Sequence, residues 1–421
     1  MKKIIIKIIW FVLVFFLMAA APALAEEDLL EVLRDNKTIT DEQYEKLKKK
    51  QKDREISRHG KGFQFGADDG NFKLKLGGRV QVDAAVYDDN RDLGDGTELR
   101  RARLGVAATL FRHWKLEAGY EFAGDSVSVK DAWIGYTGIQ STLLRAGHFK
   151  EPFSLEELTS SKYSTFMERG LPNAFVPGRN IGIGSNIHGE NWSFATGVFG
   201  EGAGDARTEG EGFGVTGRIT FAPLARKERA VHLGLAGTFR APEEVTDSVT
   251  FNSRPESHVT SARLVDTGAV GNVNHFTLIG VEAATVLDAF SLQGEYIRAR
   301  VSRGENNPGV NFEGAYIYAS WFLTGESRTY SPKKGIFGNV VPQKDFGPDG
   351  IGAWELALRY SFLDLNDGPV VGGQEENITA GLNWNVNSRI RFMANYVRVM
   401  TGPNRGDNDS NIFQMRAQAF F

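Results

Sequence analysis

The sequence predicts an all-β protein, a 16-stranded antiparallel transmembrane β-barrel preceded by a short helical segment. Three observations lead there. From Phe72 to the end, apolar and polar residues alternate in segments of about ten, each closed by turn residues. Aromatic residues such as Trp114, Tyr120, Phe122, Trp192, Trp384 and Tyr396 fall near segment ends, where an interfacial girdle sits. The segment count is sixteen, the even number that single-chain bacterial barrels require. A soluble sandwich also alternates. The length of the segments and the many charges on their polar faces fit a wet lumen better.

The elements follow in chain order. Residues 1–25 read as a secretory signal peptide: "MKK" is the positive start, "IIWFVLVFFLMAA" the apolar stretch, and "ALA" the small-residue cleavage site ending at Ala25. An uncleaved anchor is the rival, because Lys7 sits beside a long apolar run. After Ala25 no run approaches the roughly 18–20 apolar residues of a spanning helix. Residues 26–60 are charge-dense and read as a periplasmic helical segment. Leu29, Leu30, Val32 and Leu33 offer a short apolar face, and Thr40 with Gln43 forms a capping-box pattern before a second helix. This segment is a spacer, or a contact for oligomerisation or for peptidoglycan.

Residues 61–421 form the barrel. In "FKLKLGGRVQVDAAVYD", Phe72, Leu74, Leu76, Val80, Val82, Ala84 and Val86 share one face, and Lys73, Lys75, Arg79, Gln81 and Asp83 the other. Strands are expected near 72–88, 98–111, 114–123, 126–137, 142–149, 181–188, 192–200 and 213–222. The second half is expected near 230–240, 274–286, 290–303, 312–323, 352–364, 376–386, 389–400 and 411–421. With the helical segment in the periplasm, even-numbered strands end in short turns such as "RHW", "GEN" and "LDAF", as periplasmic turns should. Connections near 150–180, 241–273 and 324–351 are too long for simple links, and segments of that length are usually functional or disordered. By parity the third is a periplasmic turn.

Composition narrows the function. The chain has 421 residues and a net charge of -3. Loss of Lys2, Lys3 and Lys7 with the signal moves the charge to about -6, far from a nucleic-acid binder. With no cysteine, disulfides and thiolate metal sites are impossible. Seven scattered histidines form no metal-ligand cluster, and neither a nucleophile elbow nor a phosphate loop is present. His148 and His188 read as structural, so no enzyme, metal or cofactor is expected. Export, the lack of cysteine, 48 glycines and abundant aromatics suggest the outer membrane of a Gram-negative cell, which composition alone does not separate from a secreted β-protein.

If the apolar faces meet lipid, the lumen receives Lys73, Lys75, Arg79, Arg101, Arg103, Lys115, Arg218, Arg240, Arg359, Arg389, Arg391 and Arg416. Asp83, Glu117, Glu121, Glu295 and Glu355 share those faces and cancel part of the charge. Rings of arginine and lysine select anions by offsetting partial dehydration in a narrow pore. Arginine also matches phosphate oxygens bidentately. The plainer alternative is that these charges only keep a wide channel wet.

Longer stretches resemble one known family. "FKEPFSLEELTSSKYSTFMERGLPNAFVPGRNIG", "RPESHVTSARLVDTG", "FSLQGEY", "FLTGESRTY", "GAWELALRYS", "GLNWNVN" and "NYVRV" are similar to the phosphate-selective porins O and P, in order along the mature chain. The resemblance implies a homotrimer of sixteen-stranded barrels, set in outer-membrane lipid and lipopolysaccharide and passing small anions, phosphate first. It also implies that the third and fifth loops and one periplasmic turn fold inward. Its ladder and constriction map onto Arg100, Arg101 and Arg103 in "LRRARLG", Lys115 in "WKLEAGY" and Lys162 in the third loop. Asp131 in "KDAWIGY" corresponds to an acidic residue that limits how tightly the ion is held. The chain departs from the family pattern in the fifth loop, where "SVTFNSRPESHVTSAR" supplies only Arg254 and Arg263. A general anion pore, or one for pyrophosphate or polyphosphate, therefore stays open beside phosphate. From a different class, a surface β-protein binding glycans is the further alternative.

Overall fold

The structure is a computed structural model. It describes residues 34, 38–45, 63–66, 70–89, 93–204, 210–243, 247–304, 307–402 and 409–421. The signal-peptide residues and the first helical stretch lie outside them. At the described start of the second stretch, the capping box is in place: the Thr40 amide donates to Gln43 Oε1 at 2.9 Å, and the Gln43 amide to Thr40 Oγ1 at 3.2 Å.

Sixteen strands form one closed antiparallel barrel. They are β1 Phe72–Asp89, β2 Gly96–Leu110, β3 Trp114–Glu121, β4 Ser128–Tyr136, β5 Thr142–Lys150, β6 Arg179–His188, β7 Trp192–Phe199 and β8 Phe213–Ala225. The second half comprises β9 Arg229–Ala241, β10 Val273–Leu287, β11 Phe290–Arg303, β12 Val310–Phe322, β13 Ala353–Asp367, β14 Val370–Asn385, β15 Ile390–Thr401 and β16 Ser410–Phe420. Each strand pairs with its sequence neighbour, and β16 closes the ring on β1, with Asp83 opposite Arg416. A short strand, Phe63–Gly66, folds back on the start of β1. The largest boundary difference from expectation is β14, which begins at Val370. Its first turn, "VVGGQEEN", does not alternate, but a tight turn at Gly368 (φ 53°) pairs it with the end of β13.

The outward faces carry the apolar band, as Val80, Leu104, Ile183, Ile219, Leu235, Ile279, Leu358 and Met415 show. The inward faces divide into two kinds. On β1–β6 they are polar and charged. Higher on β10–β16 they are apolar: Leu278, Ile297, Val301, Phe312, Leu363, Val397 and Ile412 are buried inside the barrel. The reason is the third loop (L3, 151–178) and the fifth (L5, 242–272), which fill that half. Phe153, Leu171 and Phe175 of L3 and Phe251 and Val265 of L5 share one core with Leu278, Ile297, Val301, Phe312 and Leu363, while Leu264 of L5 packs separately with Val397 and Ile412. Each large side chain buried this way is worth about 1.5–3 kcal/mol, which holds the loops inside.

The long turn between β12 and β13 (323–352) also enters. Phe337 packs with Leu155 of L3 and Val286 of the wall. Gly335, at φ +59°, brings its carbonyl within 2.7 Å of Arg218 Nη2. A Cβ there would meet the Thr220 side chain at 2.7 Å, so the close approach depends on glycine.

Candidate functional site

With L3, L5 and the long turn occupying the β8–β16 half, open space remains between L3 and the wall of β1–β6. A cavity of about 450 Å³ lies there. Its charged lining is Lys75 and Arg79 from β1, Arg101 and Arg103 from β2, Glu117 from β3, Lys130 and Asp131 from β4, Lys150 from β5, Arg179 from β6, and Glu157, Lys162 and Arg169 from L3. Nine are basic and three acidic.

Two β-bulges build this wall. Gln81 pairs with Arg101 but Val82 with Leu99, so Arg100 is the extra residue. Arg100 and Arg101 are thereby both turned into the barrel, while Leu99 stays half exposed outside. Ala118 pairs with Ala132 but Tyr120 with Val129, so Lys130 and Asp131 oppose Gly119 and both line the cavity. A bulge beside a functional cavity re-aims side chains that strict alternation would send to opposite faces.

Pairing decides which charges remain available. Asp131 binds Arg179 through two hydrogen bonds, at 3.2 and 2.9 Å. Arg103 is joined to Glu121. Glu157 holds Lys150 and Arg169, each at 2.8 Å. Four lining cations make no ion pair among the described residues. Arg79 donates to Ser161 Oγ at 2.7 Å, and Arg101 to Gln81 Oε1 at 2.7 Å. Lys130 and Lys162 are the others. The Lys162 ammonium lies 5.1 Å from the ring centres of Tyr163 and Phe420. Its pKa is lowered by burial first and by the Arg79 charge second.

L3 is fastened at several points. Glu168 takes Arg100 at 2.8 and 2.9 Å and Arg416 at 2.7 Å. Burial alone would raise its pKa, but Arg100 and Arg416 hold it well below the usual range. Burial likewise opposes ionisation of Glu157, yet Arg169 and Lys150 bring it down to about 2. Glu295 of the wall accepts the backbone amides of Leu155 and Glu156, at 3.0 and 2.7 Å, at the start of the one-turn helix Leu155–Leu158. L5 is held through Glu256, which binds Arg359 at 2.5 Å, Thr379 at 2.6 Å and Ser361.

The residues expected in the anion pathway separate into four groups. Lys75, Arg79, Arg101, Arg103, Asp131 and Lys162 meet at the cavity. Lys73 and Lys115 stand on the same wall toward the turn end, Lys115 donating to Thr109 at 2.8 Å. Arg100, Arg254 and Arg263 lie toward the loop end. Arg254 donates to the His258 carbonyl at 2.7 Å and Arg263 to Asn252 at 2.8 Å. Burial, then the charges of Arg263 and Arg100, lower the Arg254 pKa. Arg218, Arg240 and Arg359 are not in the cavity lining. They are buried in ion pairs with Glu282, Glu151 and Glu256, and so fasten loops and turn to the wall. Lys130, Lys150, Arg169 and Arg179 were not expected at the site. Lys130 is inward because of the bulge, and Arg169 and Arg179 belong to the non-alternating stretch around L3, where periodicity assigns no face.

A closed sixteen-stranded barrel with a charged lumen narrowed by an inward third loop is the architecture of an outer-membrane porin. The chain belongs to the phosphate-selective porin O and P family, whose model matches residues 74–421. Porin O of Pseudomonas aeruginosa is 26% identical over 86% of this chain and 91% of that protein. An uncharacterized protein of Caulobacter vibrioides is 33% identical over 79% of this chain and 69% of its own length. Among solved structures, an anion-selective porin from Comamonas acidovorans shares the fold at a TM-score of 0.53, with 14% identity, covering 83% of this chain and 100% of that one. OmpT of Vibrio cholerae does so at 0.54, with 11% identity, 83% of this chain and 98% of that one covered.

Proposed function

We propose that this porin passes anions passively, with phosphate as its principal physiological ion. The observation carrying the proposal is the cavity lining of nine basic against three acidic side chains, with Arg79, Arg101, Lys130 and Lys162 in no ion pair among the described residues. An anion entering from the loop end first meets Arg254, Arg263 and Arg100, then exchanges part of its hydration shell for the cavity's N–H donors. Guanidinium groups offer forked donors that match two oxygens of an oxyanion, and lysine follows the ion as a mobile charge. No energy source is required.

Reversal potential in a potassium chloride gradient across a planar bilayer tests the anion preference. The sign should be that of chloride, and a potassium sign refutes the reading. Block of chloride current by millimolar phosphate then reports a phosphate site. A general anion pore is the second reading, favoured by the sparse arginines of L5, where Arg254 and Arg263 are both engaged by their own loop. It predicts no phosphate block. We also propose a homotrimer, formed through the short strands β3–β7, whose outer faces carry Leu116, Ile134, Leu144, Ile183 and Val198.

A further inference from the structure

On the outer surface, β11 carries two arginines that no protein group holds. Its outward positions from the turn end are Phe290, Leu292, Gly294 and Tyr296, then Arg298 and Arg300, while the alternate side chains from Ser291 to Val301 are buried inside. A tilted strand crosses the hydrocarbon layer in about 9–11 residues. Arg298 and Arg300 are the ninth and eleventh residues counted from Phe290, so both emerge at the loop end, among the headgroups of the outer leaflet. Tyr296, with Tyr360 of β13 and Tyr396 of β15, marks that interface on the exposed face.

Both arginines are exposed, and neither makes a hydrogen bond or ion pair among the described residues. Two other outward arginines are engaged, Arg398 by Asp409 at 2.7 Å and Arg229 by Asp288 at 3.0 Å. Across the sheet Arg300 faces Thr277 of β10 and Asn311 of β12, and the Asn311 amide is given to Asp367 at 3.2 Å. Arg298 faces Ile279 and Glu313, and the Glu313 carboxylate takes the Tyr296 hydroxyl at 2.6 Å. Two residues apart on one face, the arginines rise from points about 6–7 Å apart, close enough to share one oxyanion.

We propose that Arg298 and Arg300 form a binding site for a phosphate group of a phosphorylated glycolipid in the outer leaflet. Guanidinium forks match phosphate oxygens bidentately. The apolar band continues directly below the pair, where Ile279, Val281 and Ile317 flank the small Gly294 and Ala315 and offer acyl chains a surface. A free phosphate ion has no use for that second contact, so the occupant is a lipid. The wall proposed for the trimer, β3–β7, lies away from β11, which leaves this face to the bilayer. The site is outside the lumen and does not depend on which ion the pore conducts.

Titration of the mature porin in detergent with diphosphoryl lipid A, followed by native mass spectrometry, tests the site. Arg298→Gln with Arg300→Gln should weaken binding by about tenfold or more, the worth of a lost charge-assisted contact. Arg298→Lys with Arg300→Lys keeps the charge and should lose less. Lipid A stripped of its phosphates should bind the natural porin and the glutamine variant equally weakly. Chloride current should be the same in all variants, because neither side chain reaches the lumen. If the double variant does not fold, Arg300→Gln alone, set among neutral neighbours, should show part of the loss. Equal diphosphoryl lipid A binding with and without the arginines overturns the site, and so does undiminished binding of the dephosphorylated lipid. Equal affinity for phosphatidylglycerol, or displacement of lipid A by millimolar inorganic phosphate, overturns the assignment to a glycolipid.

Discussion

Arg416 and Asp83 face each other across the seam where the barrel closes, β16 against β1, joined by two hydrogen bonds of 2.7 and 2.6 Å. The same guanidinium reaches the Met167 carbonyl at 2.5 Å and Glu168 at 2.7 Å. Barrel closure and placement of L3 are therefore coupled through one buried side chain. Arg416→Met leaves Asp83 buried without its counter-charge, a loss expected to cost about 3–5 kcal/mol. Adding Asp83→Leu removes the orphaned charge and should recover most of it. The temperature at which the folded band is lost on a semi-native gel measures both. Equal stability of the single and double variants would contradict the coupling.

The Glu157 carboxylate gives L3 a pH dependence. Its pKa is held at about 2, below the ordinary value of about 4.3. A group whose folded pKa is depressed stabilises the fold above its unfolded pKa, and that stability is lost as pH falls through the folded one. Glu168 is shifted in the same direction. L3 should therefore hold firm above about pH 4.5 and loosen progressively toward pH 2. In bilayers this would register as rising current noise and closures over that window. Glu157→Gln with Glu168→Gln should be noisy already at pH 7, with little further change on acidification.

The bulge at Arg100 allows a deletion test. Removing Arg100 sets Leu99 and Arg101 directly against Val82 and Gln81, a regular ladder in which Leu99 stays outward and Arg101 inward. The barrel should fold with an unchanged strand register. Glu168 would keep Arg416 but lose the bidentate Arg100 pair, weakening the L3 anchor by about 1.5–3 kcal/mol. Hydrogen exchange should show faster exchange in L3 and little change in β1 and β2. Loss of the folded barrel would mean the bulge is needed for closure.

Period-two alternation was sufficient to read all sixteen strands, because one face of every strand must meet lipid. It was insufficient for the site. Alternation puts Arg100 and Arg101 on opposite faces, and Lys130 and Asp131 likewise, whereas bulges bring all four inward. Arg218, Arg240 and Arg359 have the same inward periodicity as Arg79, yet long-range partners on β10, L3 and L5 neutralise them. Such pairs span tens of residues in sequence and leave no local trace. The rule that apolar faces meet lipid also fails at Ile297 and Phe312, where two loops make the lumen itself a core.

Lys162 is the L3 residue that, under the proposed function, meets the permeating ion most directly. Among the described residues it carries no ion pair, and it lines the cavity together with the wall cations. Across a wet cavity one such charge is worth about 1 kcal/mol to a passing anion, which is about fivefold in a permeability ratio. Lys162→Gln should lower the chloride-to-potassium permeability ratio by that factor, and Lys162→Glu should lower it further. Lys162→Arg keeps the charge, so it should keep the ratio. The unitary conductance of Lys162→Gln should fall most at low salt, where screening is weakest. A ratio unchanged in Lys162→Glu would mean that ions bypass the L3 tip, and the path would then have to run closer to the wall along Arg101 and Lys130.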